Sequence, residues 1–101
     1  MTADLIQILT EAIQNRQIIT LVYGGYQRGV EPFTLGYSHR GTLTLSGFQV
    51  TGRSRSGGIP DWRRFDLQKM SQVEVHEEQF TGNRAGYNPR DQRMSRIMAT
   101  V

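Results

Sequence analysis

Apolar positions recur every three to four residues over the first fifteen residues and about every two thereafter. Leu5, Leu9, Ala12 and Ile13 fall at helical spacing, and Ile6 widens their stripe, so residues 2–15 are expected to form a helix packed through that face. Thr2 stands at the cap, and Asp4 lies in the first turn, where the helix dipole favours an acid. Asn15-Arg16-Gln17 ends the helix. Gln17–Tyr23 is rich in β-branched residues and predicts a first strand, closed by Gly24-Gly25, which tolerate the positive φ of a tight turn. Arg28–Tyr37 predicts a second strand. Pro32 has no ladder donor and marks a bulge or an edge in it. After the turn His39-Arg40-Gly41 comes a third strand, Thr42–Thr51, with Leu43 and Leu45 on one face and Thr44, Ser46 and Phe48 on the other.

Gly52–Pro60 is a loop by composition. Asp61–Met70 and Gln72–Phe80 supply a fourth and a fifth strand, and in the fifth Val73 and Val75 face away from Glu74 and His76. Thr81–Tyr87 is a connector. Asn88 and Pro89 then carry the signals of a helix start, with Asp91 in the first turn and Met94, Ile97, Met98 and Val101 as its stripe. The fold class is therefore mainly β, in a single domain over residues 1–101. It comprises an N-terminal helix (1–16), a small five-stranded antiparallel β-barrel (17–80), and a connector with a short C-terminal helix (81–101). Strands at this spacing fit SH3-like, Sm-like and OB barrels alike. Leu45, Phe65, Leu67, Val73 and Val75 are the expected core.

Within residues 61–75 strand parity puts Arg63, Phe65, Leu67 and Lys69 on one face, an apolar centre with a cation at each end. Trp62, Arg64, Asp66 and Gln68 take the other face. The cations either snorkel to water from the strand ends or flank a shallow site for an anion such as a phosphate.

Charge sharpens that choice. The net charge is +3, and 11 of the 12 basic side chains are Arg, a planar fork suited to phosphate. Residues 28–69 carry a balance of +4 and residues 70–83 a balance of −3, which predicts a basic face. A chain of 101 residues makes one domain with a modest core. There is no cysteine, hence no disulfide, thiol nucleophile or thiolate metal site. The acid before the first apolar residues does not suit a signal peptide, and no apolar run approaches the roughly 18–20 residues that span a bilayer. No membrane association is expected, and a cytoplasmic location is compatible with these features.

The chain offers no catalytic constellation, no metal site and no cofactor motif. His39 and His76 are the only histidines; Ser54 and Ser56 have no histidine base at a recognisable spacing, and Gly57-Gly58 lacks the P-loop pattern. The loop is the better candidate. Arg53 and Arg55, with the serines and glycine amides around them, suit phosphate oxygens, although the same composition serves a solvated hairpin. Tyr26, Tyr37, Phe48 and Trp62 either stack bases beside the arginines or fill the core. The stripe of the C-terminal helix either packs on the barrel or meets a protein partner or second copy.

Three motifs in order complete the reading. Tyr23-Gly24-Gly25, Arg28-Gly29-Val30-Glu31-Pro32 and the run Trp62-Arg63-Arg64-Phe65-Asp66-Leu67-Gln68-Lys69-Met70 resemble the WYL domain family, over about residues 13–80. The tail Arg84-Ala85-Gly86-Tyr87-Asn88-Pro89 is similar to the ending of stand-alone members. The resemblance implies an Sm-like, SH3-type barrel and a ligand-sensing module of bacteria and phages that binds nucleic acids or nucleotide-like ligands. Such modules often follow a winged-helix DNA reader in regulators of defence and DNA-damage responses. It implies that Arg28, Arg63 and Lys69 line a basic ligand face. The namesake triplet aligns with Leu43-Thr44-Leu45, so Thr44 stands where the family has an aromatic, and no winged helix fits before residue 17.

The functional expectation is a non-enzymatic binder of a phosphate-rich ligand, single-stranded nucleic acid or a nucleotide messenger. Arg28, Arg63 and Lys69 form its face, and Arg53 and Arg55 reach the edge. The alternative is a protein-interaction module acting on a defence or regulatory partner.

Overall fold

The computed structural model describes residues 2–53 and 57–101, the first two as backbone only. Helix α1 (Thr2–Gln14) leads into strands β1 (Gln17–Tyr23), β2 (Tyr26–Ser38), β3 (Leu43–Gly52) and β4 (Asp61–Asp66). A 3-10 turn (Leu67–Lys69), β5 (Ser71–Gln79) and β6 (Met94–Thr100) follow. The strands form one open antiparallel sheet in the order β4-β3-β2-β1-β5, with β6 paired to β2 off that path. The expected closed five-stranded barrel is thus corrected to an open six-stranded sheet.

β2 organises it. Its first half pairs with β1, from Tyr23 opposite Tyr26 to Ile19 opposite Val30, and its second half pairs with β6, from Thr34 opposite Thr100 to Ser38 opposite Met94. The change of partner falls at Phe33, where the β2–β3 register slips between Pro32 and Thr34. This is the bulge that Pro32 predicted, since a residue without an N–H is best placed where the ladder is already broken. The Phe33 carbonyl accepts from Val101 N at 3.0 Å and from the Thr100 hydroxyl at 3.1 Å, which anchors the far end of β6.

One face of the sheet packs on α1. Leu9, Ala12 and Ile13 meet Ile19, Leu21, Val30, Leu35, Leu45, Phe65 and Leu67, all buried. Each large apolar side chain fully buried here contributes about 1.5–3 kcal/mol. The helix ends as expected: Arg16 takes a left-handed conformation (φ 52°), and its carbonyl accepts from Phe80 N. A second cluster is centred on Phe33, whose ring lies 5.0 Å from Trp62, 5.1 Å from Phe80 and 5.5 Å from Tyr87. It fixes the connector 81–93. Arg16 donates to Gly82 O at 2.8 Å, Trp62 Nε1 donates to Ala85 O at 2.7 Å, and Arg84 grips Glu31.

Three local expectations are corrected. Residues 94–100 form β6 and no C-terminal helix starts near Pro89; Asn88 instead turns the chain by accepting from Arg90 N. β4 stops at Asp66, whose carboxylate caps the 3-10 turn through Gln68 N, so strand parity does not extend to Lys69. Val75 is 39% exposed and Val73 half-buried, because β5 is an outer strand beyond the cover of α1, whereas Leu45, Phe65 and Leu67 are core. Among the described residues no helix is long and apolar enough to cross a membrane.

Candidate anion-binding site

The site is built at the hairpin end of β1 and β2. Gly24 and Gly25 adopt φ of 60° and 83°, the two-residue turn that only residues free of a Cβ form without strain. The turn sets Tyr23 opposite Tyr26, and two residues on, Arg28 opposite Leu21. Parity therefore turns Arg28 toward the face that buries Leu21, at the rim of the core. It is 6% exposed. Its guanidinium carbon lies 5.4 Å from the centre of the Tyr23 ring, 5.9 Å from Tyr26 and 5.8 Å from Phe65, a cushion of three aromatic faces. Nη2 donates to Tyr23 O at 2.9 Å and Nη1 to Gln49 Oε1 at 3.4 Å, while Nε is buried and makes no hydrogen bond.

Arg63 enters from β4. It shares the face of Phe65, as parity predicted, and its side chain is 18% exposed. Nη1 donates to Trp62 O at 3.2 Å and lies 3.6 Å from the exposed Asp61 carboxylate. Nη2 donates to the carbonyls of Gly57 and Gly58, so Arg63 also holds the far end of the basic loop. Burial lowers the affinity of the Arg28 guanidinium for its proton, and the positive charge of Arg63 lowers it further; Tyr23 and Tyr26 act in the opposite direction. Arg28 stays cationic at neutral pH regardless, because an arginine begins so far above it. The structure thus brings Arg28 and Arg63 together, like charges at the edge of a low-dielectric core. A bound anion would relieve their mutual repulsion.

Gln49 extends the site. It is fully buried, and its Nε2 donates to Thr51 O at 3.1 Å and Arg53 O at 3.3 Å while its oxygen receives Arg28. One carboxamide ties the buried cation to the start of the basic loop. Sequence reading passed over it, although a signal existed: Gln49 continues the inward parity of Leu43 and Leu45, where an apolar residue is expected. The glycine that ends β3 is equally specific. Gly52 has φ 93°, and a Cβ there would meet Gln27 O at 2.1 Å and Arg28 Cα at 2.8 Å.

Arg53 is exposed at the loop entrance. Arg55 lies outside the described residues. Lys69 is exposed on the 3-10 turn, placed there by the turn rather than by the strand that carries Arg63. Phe48 and Trp62 are not free to stack on a ligand: their rings meet edge to face at 5.6 Å, and Arg84 lies 4.6 Å over Phe48. Tyr26 is half-buried beneath Arg28, and Tyr37 lines a separate cleft of about 300 Å³ with Leu43 and Asp66. Thr44, where the family's aromatic would stand, is buried and donates to Thr42 O. The described residues contain no group of three metal-ligating side chains. The chain matches no family model, no curated protein and no solved structure.

Proposed function

We propose that the chain is a WYL-like binding module that takes a phosphate-rich ligand, single-stranded nucleic acid or a nucleotide, at Arg28 and Arg63, and does no chemistry on it. The observation that carries this reading is Arg28. Its guanidinium is almost fully buried, rests on aromatic rings, has a second cation beside it and has no carboxylate partner among the described residues. A cation placed only for stability is normally given an acid, because an unpaired buried charge is costly. A phosphate supplies that counter-charge with several acceptor oxygens. Arg53 stands at the rim to meet a second phosphate or a sugar. His39 and His76 are engaged elsewhere, with Gln92 O and the Thr20 hydroxyl, and the reading is of binding alone.

The test is anisotropy of a labelled oligothymidylate and calorimetry with nucleoside di- and triphosphates across a salt series. Arg28→Met keeps the bulk of the side chain and removes its charge. It should weaken binding by roughly 1–3 kcal/mol, the scale of one charge-assisted contact in a desolvated setting. Log affinity for the oligonucleotide should fall linearly with log salt, by about −0.7 for each phosphate neutralised. Arg40→Ala, in the exposed turn after β2, is the control. Equal losses from Arg28→Met and Arg40→Ala would reduce the site to diffuse surface charge.

A further inference from the structure

Among the described residues, three large apolar side chains stand more than a third exposed: Ile8 and Val75 at 39% and Met98 at 41%. Ile8 lines a cleft, and Val75 stands on the strand that forms its other side. Ile8 and Val73 line opposite sides of a cleft of about 480 Å³ between α1 and the start of β5. Val75 follows Val73 on the same face of β5, directly opposite the buried Ile19, so it continues the core face past the reach of the helix. The helix side of the cleft is acidic. Asp4, Ile8 and Glu11 are all exposed and share one stripe of α1 by their spacing of four and three residues, which sets a carboxylate on each side of Ile8. β5 carries Glu74, Glu77 and Glu78, of which Glu74 faces away from Val73 and Val75, and Lys69 stands exposed between the cleft-lining Gln68 and Met70. Among the described residues β5 pairs only with β1, so its other edge is open.

Met98 has the opposite setting. The β2–β6 register passes from Leu35 opposite Ala99 to Gly36 opposite Ile97, so Met98 is the extra residue of a bulge. A bulge redirects the side chain it adds, here into solvent. Arg96 is exposed two residues before it, and Arg90 and Arg93 precede it; the one acid of that stretch, Asp91, is engaged by Arg93. An adaptable apolar side chain thus stands beside a cation on β6, and a partly apolar cleft stands beside the carboxylates of α1, on the same chain.

We propose that the α1–β5 cleft docks the β6 strand of a second copy of this chain, with Met98 entering between Ile8 and Val75 and Arg96 meeting the carboxylates of Asp4 and Glu11. Apolar contact supplies affinity and the opposed charges fix the register. The contact uses neither Arg28 nor Arg63, so it stands or falls apart from the anion site.

Sedimentation analysis over a concentration series tests this with two exposed-site variants, Val75→Arg and Met98→Glu. The wild type should self-associate in a concentration-dependent way, and each variant alone should associate at least tenfold more weakly, about 1.4 kcal/mol. An equimolar mixture should recover a dimer, because one variant keeps its cleft and the other its strand. A charge swap guards against misfolded variants: Glu11→Arg and Arg96→Glu should each weaken association, and the two together in one chain should restore it. The proposal is overturned by a wild type that stays monomeric to about 1 mM, by loss in only one of the two variants, or by a mixture that recovers nothing.

Discussion

Arg84 Nε and Nη2 each lie 2.8 Å from a carboxylate oxygen of Glu31, a fork-to-fork pair that closes the connector onto β2 across 53 positions of sequence. The Glu31 side chain is 7% exposed and the Arg84 side chain 45%. The carboxylate raises the already high affinity of Arg84 for its proton through their hydrogen bond. Removing Arg84 leaves a buried carboxylate without its cation, a loss of about 3–5 kcal/mol when both partners are buried and much less when both are exposed. Arg84→Ala should fall between, at about 2 kcal/mol by urea unfolding. It should also raise the accessibility of Trp62, which a fluorescence quencher reads. Unchanged stability would mean that the rings alone hold the connector.

Phe65 is 1% exposed and meets Tyr23 edge to face at 5.0 Å. Phe65→Ala should cost about 3–5 kcal/mol, the usual result of truncating a fully buried ring. Because the same ring lies under Arg28, ligand affinity should fall in the folded fraction too, whereas Leu9→Ala should reduce stability without that second effect.

Asp91 offers a pH signature. Hydrogen bonds from the Arg93 side chain hold its carboxyl below the ordinary value of 3.8, against the upward push of burial. A carboxyl depressed in the folded state stabilises the fold at pH above its unfolded value, and that contribution disappears as pH falls through the folded value. Asp91→Asn should be less stable than wild type at pH 7 by about 1 kcal/mol, since Arg93 is largely exposed. The gap should begin to narrow below about pH 4 and go on narrowing as acid is added. A gap that does not narrow as the pH is lowered would assign the effect to packing rather than ionisation.

Gly52→Ala tests the backbone of the site. The new Cβ meets Gln27 O and Arg28 Cα, and the residue must also keep a left-handed φ. A loss of roughly 1–3 kcal/mol in stability is expected. Oligonucleotide affinity should drop with it, because the strand bearing Arg28 must move. Gly25→Ala, whose Cβ meets nothing within 4 Å, carries the φ strain alone and separates the two effects.

Where local periodicity and packing agreed, the sequence was legible. The stripe of α1 and the Gly24-Gly25 turn follow from spacing and sterics alone, and the Pro32 bulge lies one residue from where a missing donor puts it. The last element misled because β6 carries two register slips, one at Met98 and one at Ser95. Two extra residues in seven turn a period of two into one resembling a helix, and Met94, Ile97 and Met98 then mimic a helical stripe. Lys69 misled differently. Asp66 ends β4 by bonding its own chain two residues on, and alternation carried past such a turn has no meaning. For the candidate site, parity pointed to Arg63 and motif likeness to Arg28, and the fold brings the two near each other. Their closeness depends on Tyr23, Phe65 and Gln49, which belong to three different strands, and no single-strand pattern encodes that meeting.

The Phe33 bulge has a consequence for how the chain is made. β2 changes partner there, and its second half waits for β6, with Thr34 and its partner Thr100 separated by 66 positions. During synthesis at about 5–20 residues per second, Thr34–Ser38 can pair with β3 early but faces the cell for several seconds with one edge bare. An edge of this kind invites pairing with a neighbouring nascent chain. Overexpression should therefore lose more material at high translation rates, where polysomes crowd identical half-made sheets together, than the stability of the finished fold would suggest.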